Sequence, residues 1–230
     1  MLVGYKPNND LINLLSDVKI VLLVAAVASG RNTIINELTK RGDYHYLVSD
    51  TTREPRMNDG QPEVNGVEYW FKKETEALDG ILKGNYLGPA VIHNQQVSGI
   101  HFDELKRVYD SGKIAITDMD IQGSKDIARY KSDVMNIFIL PPKFNEWMNR
   151  LNKRGKMTDS EKKRRLQSAS QEISEALERP TLEMFINFEL HQTAEELDHF
   201  IKHGKRLNDD SKNAREHARE LLEELNSSID

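Results

Sequence analysis

The chain has 230 residues, 38% of them apolar and 30% charged, and carries a formal net charge of −5. That length can bury a sizeable core, and the acidic balance gives no basic field to draw the protein to nucleic acid or an anionic membrane. The absence of cysteine excludes disulfides and thiolate metal sites. MLVGYKPNND at the start has no apolar signal core, and the longest apolar run, Ile20 to Ala28, is far too short to span a bilayer. The expectation is a soluble, cytoplasmic protein with no nucleic-acid or membrane partner.

Asn8 or Asn9 caps a short helix reaching Ser16, with Leu11, Ile12, Leu14 and Leu15 on its apolar side. Ile20 to Val24 is an unbroken apolar run rich in β-branched residues, the pattern of a strand buried on both faces. The small-residue loop Ala25 to Gly30 follows, then a helix from Arg31 to Lys40 with Ile34, Ile35 and Leu38 on one side. Strand, small-residue loop and helix form a unit whose backbone N–H groups can face a phosphate. The alternative is an ordinary turn without a ligand. In the register of the phosphate-loop pattern, Ala25 and Gly30 take the glycine positions, Arg31 the lysine and Asn32 the hydroxyl residue.

Beyond Gly42, Tyr44 to Val48 reads as a strand and Ser49 to Gly66 as a polar, turn-rich stretch. Val67 to Phe71 alternates as a strand, Lys73 to Lys83 is a helix, and Tyr86 to Ile92 is extended. A helix from Phe102 to Tyr109 precedes the buried strand Lys113 to Asp118, and Ser124 to Tyr130 is helical. Val134 to Leu140 is an apolar strand stopped by Pro141-Pro142. Lys143 to Arg154 and Asp159 to Leu177 are helices, Met184 to Asn187 a short strand, and Thr193 to Ile201 a helix. The charged tail from Asn208 to Asp230 puts Ala214, Ala218, Leu221, Leu222 and Leu225 on one helical side, which could pack on the body or on another subunit as a homodimer contact. Strands alternating with helices, each strand a continuous apolar run, predict an α/β protein with a parallel sheet flanked by helices. The region Ser49 to Gly99, with its short strands and many turns, reads as an insertion over that sheet.

Three arginine groups stand out. Arg53 and Arg56 flank Pro55, Arg150 and Arg154 lie one helical turn apart, and Lys162 to Arg165 begin the next helix. Guanidinium forks match phosphate oxygens in geometry and charge, and the hydroxyl of Tyr69 could complete a cradle. The plain alternative is surface ion pairing, since Glu54 adjoins Arg53 and Glu161 precedes Arg164 by one turn. Asp118 and Asp120 end a strand at the sheet edge where such folds bind ligands, a place for Mg²⁺ or for a helix cap.

Taken together, SDTTREPR (Ser49 to Arg56), NGVEYWF (Asn65 to Phe71), DMDIQG (Asp118 to Gly123), IFILPP (Ile137 to Pro142) and RLNKRG (Arg150 to Gly155) resemble guanylate kinase in order and spacing, from about Lys19 to Phe200. The resemblance implies a P-loop-type core, an inserted monophosphate-binding α+β subdomain and a mobile lid. On that basis residues 1–230 are one domain: 19–48 and 100–205 the core, 49–99 the insertion, 150–166 the lid and 206–230 a charged helical tail. It further implies transfer of the γ-phosphoryl of ATP to GMP or a related monophosphate, with Mg²⁺ arriving on ATP. Ala28, Ser29, Gly30, Arg31, Asn32 and Thr33 would hold ATP. Ser49, Arg53, Arg56, Tyr69, Ser98 and Asp118 would hold the acceptor, and Asp118, Asp120 and Asn32 would lie at the metal. Arg31, Arg150, Arg154 and Arg165 would neutralise the transferring phosphoryl.

The chain also departs from that family. Arg31 replaces the loop lysine and Asn32 its hydroxyl residue, while Ala25 and Ala28 add methyl groups to the loop. The glutamate that reads guanine falls near Gly88, with no acidic residue between Asp79 and Asp103, and the family's tyrosine is replaced near Val97 or Ser98. Asn94, Gln95 and Gln96 could read a base through their amides or simply form a polar turn. Two classes of function follow: a catalytic monophosphate kinase, and a guanylate-kinase-like module that binds a protein, phosphopeptide or nucleotide without turnover. The lid arginines and the aspartate pair favour the kinase, and the altered loop favours the module.

Overall fold

The computed structural model describes residues 2, 4–58, 60–92, 96–153, 157–207 and 211–229, without the side chains of 58, 211 and 212. The chain divides into two compact units. One holds Met1–Ile20, Asp43–Thr117 and Gln122–Val134; the other holds Val21–Gly42, Asp118–Ile121 and Met135–Asp230.

The run Ile20–Ala25, in the second unit from Val21 onward, is a strand buried at every residue but its last, as an apolar run covered on both faces requires. It pairs in parallel with Met135–Leu140, from Val21 opposite Met135 to Ala25 opposite Ile139. Met135–Leu140 pairs in parallel with Glu183–Ile186. Helices Arg31–Thr39 and Leu190–His203 pack together. Helices Phe144–Asn152, Asp159–Leu177 and Ser211–Ile229 bring Trp147, Leu151, Leu166, Ile173, Leu221 and Leu225 into one core with Phe138 and Leu140. The C-terminal helix therefore packs on its own unit, against Asp159–Leu177 and Glu183–Ile186. Its Arg215 donates to the carbonyls of Leu177, Arg179, Pro180 and Leu182, at and just beyond the end of helix Asp159–Leu177.

In the first unit Asn8 caps helix Asn9–Asp17, its Oδ1 accepting from Leu11 N at 2.8 Å. That helix packs on Phe102–Ser111. Tyr44–Tyr46 pairs in parallel with Ile114–Asp118. The insertion forms a mixed sheet in the order Trp70–Phe71, Asp50–Thr51, Gln96–His101, Tyr86–Ile92. The strand expected over Val67 to Phe71 shortens to Trp70–Phe71 because Val67 and Glu68 turn back onto the Val64 carbonyl. Gln96–His101 went unread in the sequence as a strand, since its residues follow a polar cluster; Asn94 and Gln95 lie outside the described residues. Among the described residues no helix is long and apolar enough to cross a membrane. Parallel strands flanked by helices give the α/β class expected.

Candidate active site

The loop from Ala25 into helix Arg31–Thr39 uses left-handed backbone twice, at Ala28 (φ 64°) and Gly30 (φ 93°). Ala28 is the one non-glycine residue with positive φ among those described, a conformation its Cβ disfavours by about 1 kcal/mol. Gly30 is constrained further, because a Cβ there would overlap the side-chain amide of Asn187. That amide donates from Nδ2 to Ser29 O at 2.9 Å, and the indole of Trp147 donates from Nε1 to Val27 O at 2.7 Å. Two buried side chains thus fix the loop carbonyls. The first-turn N–H groups of Arg31, Asn32 and Thr33 have no intrahelical acceptor and suit an anion.

A cavity of about 390 Å³ opens on the loop, lined by residues 25–32 with Asp118, Met119, Asp120 and Glu172. Arg31 spans it. Its Nη2 donates to Asp118 Oδ2 at 2.8 Å and its Nη1 to Met119 O at 3.0 Å, while Nε lies 3.5 Å from Asn32 Oδ1. Glu172 reaches the cavity from helix Asp159–Leu177. Burial raises its pKa, and the charge of Asp120 adds to that, against the opposing effects of Ser168 and Arg31. Mg²⁺, which the family resemblance implies, takes oxygen ligands in near-octahedral geometry. Here the Asp118 carboxylate and the Asn32 amide oxygen already face Arg31. Among the described residues no three acidic or histidine side chains gather as a metal site. The residues present do not fit a divalent cation held by the protein at this loop.

A second cavity, of about 270 Å³, is lined by Ala28, Gly30, Thr33, Arg150, Asn187 and Leu190. Arg150 is thereby brought beside the loop, and it pairs along its own helix with Glu146 at 2.6 Å. Arg165 pairs with Glu161 at 2.7 Å. Both are surface ion pairs, the kind of contact the plain alternative supposed, but with other partners than the Glu54–Arg53 and Glu161–Arg164 pairs it named. At such exposure each contributes about 0–1 kcal/mol, so either arginine is released at small cost. Arg154 lies outside the described residues.

Ser49, Arg53, Arg56, Tyr69 and Ser98 all belong to the first unit. Arg53 lies over the Tyr69 ring at 4.8 Å. Its guanidinium bonds the carboxylate of Glu63 through both terminal nitrogens, with Nη2 to Oε1 at 2.9 Å. Those bonds are the main reason its pKa is raised. Glu63 also accepts from the Arg56 backbone N at 2.8 Å, which ties the two arginine positions together. The Arg56 side chain is exposed. Ser98 Oγ donates to Asp50 O at 2.9 Å, and Ser49 O accepts from Trp70 N at 2.9 Å. Gly88, where the guanine-reading glutamate would stand, has φ 62° at a register shift between Leu87 and Ala90.

Sequence reasoning missed Asn187, Trp147, Glu63 and Glu172. Asn187 carried the one usable signal, a polar residue directly after a strand at the sheet edge that binds ligands. Trp147 sits in an apolar helical face and Glu63 in a polar turn, where neither looks unusual.

The family model for guanylate kinase matches residues 17–204. "Guanylate kinase" of Rickettsia prowazekii is 32% identical over 185 residues, 79% of this chain and 89% of that protein. "Guanylate kinase 1" of rice, Oryza sativa subsp. japonica, is 32% identical over 149 residues, 64% of this chain, and the match spans 38% of its length. A crystal structure of guanylate kinase from Anaplasma phagocytophilum superposes with a TM-score of 0.57 at 23% identity, covering 85% of this chain and 90% of that one, a likeness of fold. A match of this extent, on a chain whose loop and parallel strands are built as described, places it: the protein belongs to the guanylate kinase family.

Proposed function

We propose that the protein is an ATP:nucleoside monophosphate phosphotransferase acting on GMP or a related monophosphate in the cytoplasm. The observation that carries this reading is the loop Ala25–Gly30: left-handed at Ala28 and Gly30, with its carbonyls held by Asn187 and Trp147, and leading into the first-turn N–H groups of helix Arg31–Thr39. A strained alanine persists where its surroundings over-determine the backbone, most often at a functional site.

In the reaction an oxygen of the acceptor phosphate forms a bond to the γ-phosphorus, the bond from that phosphorus to the β,γ-bridging oxygen breaks, and ADP leaves with the electron pair. No covalent enzyme intermediate is needed; the protein supplies position and positive charge. The loop and Ala28 to Thr33 hold the donor phosphates. Arg53, Arg56 and Tyr69 in the insertion 49–99 hold the acceptor phosphate, with Ser49, Ser98 and Asp118 on the remainder of that nucleotide. Arg150 and Arg165 exchange Glu146 and Glu161 for the phosphoryl oxygens, joined by Arg154 in the lid region 150–166. Mg²⁺ arriving on ATP supplies further neutralisation of phosphate charge.

A coupled ADP-release assay with ATP, Mg²⁺ and each of GMP, dGMP, AMP, CMP and UMP tests the proposal. Turnover with at least one acceptor is expected. No ADP release with any of the five at micromolar enzyme would sink the kinase reading in favour of a binding module.

A further inference from the structure

A phosphate loop ordinarily carries a lysine for the β- and γ-phosphates and, next to it, a hydroxyl that touches the metal. This chain has Arg31 and Asn32 there. The two changes act on one function. A lysine ammonium is a point charge that leaves neighbouring carboxylates open to a cation, whereas a guanidinium is a planar fork with five N–H donors. Here that fork reaches Asp118 Oδ2, the Met119 carbonyl and the vicinity of Asn32 Oδ1. Asp118 and Asn32 are two of the three residues that the family resemblance places at the metal; the third, Asp120, lines the same cavity. The guanidinium keeps at the spot the single positive charge that a loop lysine would carry. Its terminal nitrogens carry further N–H groups for phosphate oxygens.

We infer that the Arg31 guanidinium occupies the protein oxygens that a divalent cation at the donor loop would otherwise take, so that this protein binds metal-free ATP about as tightly as the magnesium complex. The inference rests on the reading that this cavity takes ATP. An incoming Mg²⁺ would have to displace a guanidinium bonded to Asp118 at 2.8 Å before the protein could ligate it. An ion carried in on the nucleotide gains no ligand from Asp118 or Asn32, so its presence changes affinity little.

The test is calorimetric titration of the full chain with ATP in EDTA and with ATP in saturating Mg²⁺. The two dissociation constants are expected to agree within about threefold, and Arg31→Lys should bind the magnesium complex about tenfold or more tightly than free ATP. A tenfold preference for the magnesium complex in the unaltered chain, about 1.4 kcal/mol, would overturn the inference and leave the kinase reading standing. No ATP binding under either condition would remove the kinase reading and this inference with it. A second measurement does not depend on the variant's folding. Mn²⁺ alone, titrated against the unaltered chain and followed by its free-ion magnetic resonance signal, should show no tight site. A stoichiometric micromolar Mn²⁺ site lost in Asp118→Asn would overturn the proposal.

Discussion

Ala28 holds a backbone angle that its own methyl group opposes, and relief of that strain is measurable. Ala28→Gly removes about 1 kcal/mol of steric cost and adds roughly 0.5 kcal/mol of unfolded-state entropy, so urea denaturation should show a net gain of about 0.5 kcal/mol. A clear loss of stability would mean that the loop does not keep this angle in solution. Asn187→Ala acts in the opposite sense. It leaves the buried Ser29 carbonyl without the donor at 2.9 Å, a loss of about 1–3 kcal/mol. It also loosens the loop, so the KM for ATP should rise while the KM for the acceptor stays unchanged. Equal rises in both would count against a donor-side role for Asn187.

At the scale of elements, the C-terminal helix Ser211–Ile229 lies beyond the family-matched stretch 17–204, yet it completes the core of its unit. Ala214, Ala218, Leu221 and Leu225 are each at most 1% exposed. Leu225→Ala is expected to cost about 2–5 kcal/mol, whereas Leu82→Ala, at a side chain 78% exposed, should stay within about 0.5 kcal/mol. Comparable small effects in thermal denaturation would show that the helix is an appendage. Its charged side is a solvated face, and its apolar side is used up within the chain.

For the molecule as a whole, Glu104, 1% exposed in the first unit, is one contributor to stability against acid. Burial pushes its pKa up, but His45, the Val48 N–H, Arg107 and Trp70 together outweigh burial and lower it from the ordinary 4.5. Because the folded pKa is the depressed one, the stabilisation is complete above about pH 4.5 and is lost as pH falls through the folded value. Asp50, whose carboxyl burial raises, works in the opposite direction, so the useful measurement is a difference. Stability followed between about pH 3 and 6 should fall more steeply on acidification in the unaltered chain than in Glu104→Gln. Parallel curves would remove Glu104 from the account.

By itself the sequence determined the parallel strands, the small-residue loop and the helix after it. It also determined the family, because those features depend on period and spacing along a short stretch of chain. A buried run such as Ile20–Ala25 announces itself through its own side chains. Only the tertiary structure decided which partners hold that loop and what its arginine faces. Trp147 meets Val27 across 120 residues, Asn187 meets Ser29 across 158, and Arg31 meets Asp118 across 87. No local pattern encodes such pairs. They follow from the packing of elements whose order in the chain says nothing of which side chains become neighbours, and a guanidinium on a carboxylate rather than on a phosphate is a choice made by those neighbours.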